Sequence, residues 1–211
     1  MQPTVAPDID GADDGSMAGV LKSWIRSFIR ENLDDMLPAQ VVSYDDASNR
    51  AVIKPLIMVG TTDGQKISRG SVPNIPVFRY GGGGFFIRFP IKPGDFGWLK
   101  ANDRDVSLMF QRGGREDWPN TERLHSFSDA MFFPDTIKDW AISGADSEAL
   151  VIQAIDGGAV LAISSDSVEL RVGGQSLRIS SAGLQHNGVN IGATHVHGSV
   201  ETGPNVSGVP Q

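Results

Sequence analysis

The chain contains no cysteine. That excludes a disulfide framework and any thiolate metal site, and it suits folding in a reducing compartment. No stretch approaches the roughly 18 consecutive apolar residues of a membrane span. The first residues are acidic and carry Pro and Gly. They lack the basic start and apolar run of a signal peptide, so export by the standard secretory route is not expected. Basic residues are also short: 18 Lys and Arg stand against 25 Asp and Glu, for a net charge of −7. This argues against a protein that holds nucleic acid or an anionic membrane through basic patches.

The shortages are uneven along the chain. All sixteen aromatic residues lie at or before Trp140. Residues 146–211 have no aromatic, ten glycines, and only Arg171 and Arg178 as bases against six acids. Residues 39–145 are balanced, with twelve acids and thirteen bases, while residues 1–38 carry seven acids and three bases. These shifts divide the chain into an acidic N-terminal arm with a helix (1–38), a middle domain (39–145) and a last region (146–211), in which a third segment of strand repeats (146–193) precedes a histidine-containing end (194–211).

In the arm, Met17, Val20, Leu21, Trp24, Ile25, Phe28, Ile29 and Leu33 recur at spacings of three and four, the pattern of an amphipathic helix. Ser16 or Asp14 is placed to cap it, and Pro38 stops anything beyond it. The stripe either packs on the next domain of the same chain or docks on a partner. Trp24 and Phe28 suit both.

The middle domain reads as short strands at 40–44, 50–58, 75–80, 85–89, 96–101 and 106–110, separated by Gly, Pro and Asp clusters. Five or six such strands over about 75 residues predict a small closed barrel of the OB type. Gly81 to Gly84 has neither a following helical pattern nor Lys-Ser/Thr, so it is a hairpin loop or bulge rather than a phosphate loop. OB barrels often bind oligonucleotides, but the charge balance disfavours a nucleic-acid partner. Phe85, Phe86 and Phe89 are read as core or interface residues. His125, Ser128 and Asp129 are close in sequence, but no nucleophile elbow surrounds them. They are read as loop residues, and no enzyme activity is predicted.

The third segment alternates very short strands with turn signals: Asp-Gly-Gly, Gly-Gly-Gln, Ser-Ala-Gly and Asn-Gly. Strands are expected at 150–155, 159–163, 168–172, around Leu177 and Ile179, and around Val189 and Ile191. His186, beside Asn187 and Gly188, is expected to be a surface residue flanking a turn. Each strand offers a row of small aliphatics, with no aromatic and no helix to cover it. Such a meander cannot bury enough apolar surface alone to offset its ordering entropy. Self-association supplies the missing face, and a three-fold intertwined β-prism or β-helix matches the small aliphatics to a narrow centre.

His195 and His197 stand two residues apart, so on an extended strand both imidazoles point one way. Three-fold symmetry converts two ligands per chain into six. An octahedral all-imidazole site suits Fe(II), one ion per trimer, with Ni(II) or Co(II) as substitutes, and without an open position the ion is structural. The expected fold is therefore mainly β: an amphipathic helix, an OB barrel, then a trimeric β-helix with a metal-bound tip.

The chain resembles the central, membrane-piercing spike proteins of contractile-tailed bacteriophage baseplates. The resemblance rests on His195 and His197 with the Gly/Pro-rich end after them (Gly198, Gly203, Pro204, Gly208, Pro210). It also rests on the segments Phe89-Pro-Ile-Lys-Pro-Gly-Asp95, Asp103-Arg-Asp-Val106 and His125-Ser-Phe-Ser-Asp-Ala130. It covers roughly residues 40–211. The third segment is short for the family, about 45 residues before the histidines, which implies a stubby spike. The resemblance implies a homotrimer assembled in the host cytoplasm into the virion. Its partners would be the baseplate hub, met through the N-terminal helix and OB domain, and the host outer membrane on piercing. The competing readings are a baseplate-associated cell-wall hydrolase and an OB-fold nucleic-acid binder.

Overall fold

The structure is a computed structural model describing residues 15–60, 64–136 and 143–193. The chain divides into two compact units, residues 1–137 and 138–211.

The first unit opens with helix α1 (Met17–Asn32), where the Ser16 hydroxyl accepts the Gly19 amide at 3.0 Å. The helix ends at Asn32, six residues before Pro38, because the next residues are captured by the barrel. The Asp34 amide donates to the His125 carbonyl at 2.7 Å, and the Asp35 carbonyl accepts the Ala101 amide at 2.8 Å. The apolar stripe of α1 stays exposed, including Trp24 stacked on Phe28.

The strands of this unit follow in chain order. They are β1 (Met36–Asp45), β2 (Arg50–Pro55), β3 (Val59–Gly60), β4 (Lys66–Ile67), β5 (Val72–Pro76), β6 (Gly81–Gly82), β7 (Phe85–Phe86), β8 (Phe96–Arg104) and β9 (Leu124–Pro134). A short helix, α2 (Ser107–Gln111), lies between β8 and β9. Five strands form one antiparallel sheet in the order β5-β2-β1-β8-β9. Its two edges meet through a parallel bridge, Val77 to Phe132, and the Phe78 amide donates to the Phe132 carbonyl at 2.8 Å. The sheet thus curls into a nearly closed barrel. Numbered among themselves, its strands run 3-2-1-4-5 with the third meeting the fifth, the Greek-key barrel expected of the OB type.

Alternation builds its core. Ala51 and Ile53 on β2, Leu99 and Ala101 on β8, and Phe127 and Phe132 on β9 point inward with Ala39, Val41, Ile75 and Val77. Gly97 is required for this closure. A Cβ there would lie 2.2 Å from the Phe133 carbonyl oxygen and 2.6 Å from the Phe132 ring.

The predicted strand at 106–110 is instead helix α2. The Asp105 carboxylate accepts the Ser107 amide at 2.9 Å and turns the chain, so Phe110 packs under the Arg50 guanidinium at 4.9 Å. Strand β9 goes beyond the sequence reading, which saw no strand there because His125, Ser126, Ser128 and Asp129 mask its alternation. Gly81 to Gly84 does form a hairpin, β6 and β7 joined by Gly83 and Gly84 at φ 58° and 87°.

The second unit begins with a 3-10 turn (Gly144–Asp146). Strands β10 (Leu150–Gln153), β11 (Ala159–Ile163), β12 (Ser167–Val172), β13 (Gln175–Ser180), β14 (Gly183–His186) and β15 (Val189–Asn190) follow. They form one six-stranded antiparallel meander in sequence order. Strand β14 is absent from the sequence-based assignment. Two of its tight turns, Gly173–Gly174 and Asn187–Gly188, have positive φ at both residues, the primed geometry that suits two-residue hairpins.

Candidate functional site

The register of the second unit sorts its side chains into two unlike faces. On one face a single column crosses all six strands: Ile152, Leu161, Leu170, Leu177, His186 and Val189 are successive cross-strand partners. Beside it run Leu150, Ile163, Val168, Ile179 and Leu184 on one flank, and Ala159, Val172 and Gln175 on the other. This face is almost wholly aliphatic, and it is bare: Leu170 is 48% exposed, Ile179 58% and Val189 63%.

The opposite face is polar. Its central column reads Val151, Ala162, Glu169, Arg178, Gln185 and Asn190. Arg171 on this side pairs with the buried carboxylate of Asp146 in the 3-10 turn and lies 3.7 Å from Glu169. Asp146, then Glu169, raises the pKa of Arg171. Arg178 donates to the Ser167 hydroxyl at 3.1 Å. The polar face is therefore internally paired while, among the described residues, the apolar face is left uncovered, the reverse of what a free-standing sheet requires.

The barrel carries two ionic clusters. At the β1–β2 turn, Asp46 accepts from Arg88 Nε at 2.9 and 3.0 Å, from Arg88 Nη2 at 2.7 Å and from Arg79 at 2.9 Å, while Tyr44 bonds both Asp46 and Arg79. Arg88 leads in holding the Asp46 carboxyl below its usual range. These bonds pin the β6–β7 hairpin, whose Phe86 stacks under Arg79 at 5.5 Å and whose Phe85 stands 83% exposed. At the other cluster Arg123 bridges two buried carboxylates, Asp105 and Asp129, each at 3.0 Å. Hydrogen bonding from Ser107, joined by Thr121 and Arg123, lowers the Asp105 pKa to about 2.

His125, Ser128 and Asp129 do not come together as a relay. His125, at φ 45°, pairs with Asp103 at 3.1 Å, Asp129 is taken by Arg123, and Ser128 is exposed. His195 and His197 lie outside the described residues. Among the described residues no group of three or more His, Asp or Glu side chains is arranged to hold a metal. His186 is exposed beside its turn, as expected. Its place in the aliphatic column was missed with strand β14. The available signal was the i, i+2 alternation of Leu184 and His186 running into Asn-Gly.

Residues 37–135 match the family model described as the phage protein Gp138 N-terminal domain. The match spans the barrel from β1 to just past β9. No curated protein matches the chain. The barrel is similar to that phage domain over 99 of the 211 residues, and the match supports a phage structural protein.

Proposed function

We propose that three copies of this chain form the central spike of a contractile phage tail and pierce the host cell envelope. The observation that carries this reading is the bare aliphatic face of the six-stranded sheet. Full burial of a Leu or Ile side chain stabilises by roughly 1.5–3 kcal/mol, so each of these half-exposed residues gains about 1 kcal/mol once covered. The occupant is two further copies of the same face. Three such sheets about one axis turn their aliphatics inward and their Glu, Arg and Ser residues outward, closing a prism with a dry centre. The face holds no aromatic, which suits a narrow axis where identical side chains meet.

The phage-domain match of the barrel supports the same reading. In the assembly His195 and His197 contribute six imidazoles, a donor set that fits Fe(II) or another octahedral divalent ion. The ion supplies a cross-link between chain ends. The exposed stripe of α1 and the pinned aromatic hairpin are the surfaces offered to the baseplate hub. The role is mechanical and needs no turnover. Assembly takes place in the host cytoplasm, and the finished spike is part of the virion.

Light scattering and elemental analysis of the full chain test this directly. The expected result is three chains per particle and about one iron per three chains. A monomer overturns the reading, whereas a metal-free trimer overturns the tip ion and leaves the trimeric spike standing.

A further inference from the structure

We infer that His186 forms a second metal site, a three-imidazole centre on the axis inside the spike. This inference rests on the trimeric reading above. Within the aliphatic face, His186 is the one titratable side chain of the central column, between Leu177 on β13 and Val189 on β15. That column crosses all six strands midway between the flanking columns, so in a three-fold prism it is the row closest to the axis. Strands are spaced about 4.8 Å apart, so the three imidazoles form one layer between a layer of leucines and a layer of valines.

That layer needs a ligand. The His186 side chain has no hydrogen bond or ion pair among the described residues. The other polar side chain on its side of the face, Gln175, has its amide oxygen occupied by Asn187 at 2.6 Å. A buried imidazole without a partner is costly, and three rings that turn their acceptor nitrogens to one axis repel through their lone pairs. An imidazole also reaches further from the backbone than the neighbouring leucine, so nitrogens in this layer converge. A divalent ion at their meeting point resolves both problems.

Three imidazoles leave one position for water or a small anion, which is the ligand number of tetrahedral zinc. The two sites of the spike therefore differ in kind: six nitrogens at His195 and His197, three at His186. The ion at His186 is held by one residue type on a rigid sheet whose register is set by a Leu–His pair and a tight Asn-Gly turn.

The test uses the full chain with His195→Ala and His197→Ala, stripped with chelator and then given Zn(II) alone. The expected result is a trimer by light scattering that retains one zinc per three chains, and loses it when His186→Leu is added. Co(II) in place of zinc is expected to give the intense visible absorption of a tetrahedral site, absent in the His186→Leu form. A trimer that retains no zinc, or retains it equally with His186→Leu, overturns this site and leaves the spike reading intact. A monomeric wild-type chain overturns the spike reading, and this site with it. Should the double variant fail to assemble, the comparison moves to the otherwise unaltered chain. There His186→Leu is expected to lower bound metal from two ions per trimer to one, and no change overturns the site.

Discussion

Single residues decide how the barrel responds to acid. Asp105 is buried, accepts the Ser107 amide and the Thr121 hydroxyl, and pairs with Arg123. Its pKa falls from 3.8 to about 2, so the folded state favours the ionised form. That contribution is fully present above pH 4 and is lost as pH falls through about 2. Asp105→Asn is therefore expected to lower stability at pH 7 while flattening its dependence between pH 4 and 2, measured by urea unfolding at each pH. An equal slope in both proteins would remove Asp105 from the account. The residue types were visible in the sequence, but the pairing was not. Asp105 meets Arg123 because β8 pairs with β9, with Arg104 opposite Leu124, and that pairing of distant segments is not written in either one.

At the scale of elements, the two β units differ in what completes them. The barrel closes on itself: β5 meets β9, Gly97 admits the Phe132 ring, and its eleven-residue core is sealed. The meander does not close, and its central column stays in water. Leu170→Asp places a charge in the middle of that column. It is expected to convert the assembly to monomers by light scattering while the barrel still melts cooperatively, as followed by its tryptophan fluorescence. Trimers that survive the substitution would show that another surface holds the copies together. Most of the meander was legible as alternating aliphatics between Gly-rich turns. Strand β14 was not, because four residues with a glycine and a histidine among them give too little period to register.

For the whole molecule, the proposed trimer would couple stability to concentration and to metal. A spike whose sheets are covered by each other melts at a temperature that rises with chain concentration, because association is part of folding. If the proposed tip ion is bound, removing it with a chelator is expected to lower the melting temperature of the second unit and leave the barrel transition in place. Calorimetry with two resolved transitions reads this, and a single transition moved as one by the chelator would refute it. The net charge of −7 has no part in that coupling, but it favours solubility of an assembly that hides its aliphatic rows.

The sequence by itself determined the class of each segment. Periods of three and four marked α1, turn residues between β-branched runs marked the barrel, and the loss of aromatics after Trp140 marked a segment with too little core. Composition and periodicity are local, and they suffice for such assignments. Only the tertiary structure decided which side chains share a face. A one-residue change of register moves every side chain of a strand to the other side, and the alternation within a strand does not by itself set that alignment. It is the observed register that puts Ile152, Leu161, Leu170, Leu177, His186 and Val189 in one line, and so turns a surface histidine into a candidate for the axis.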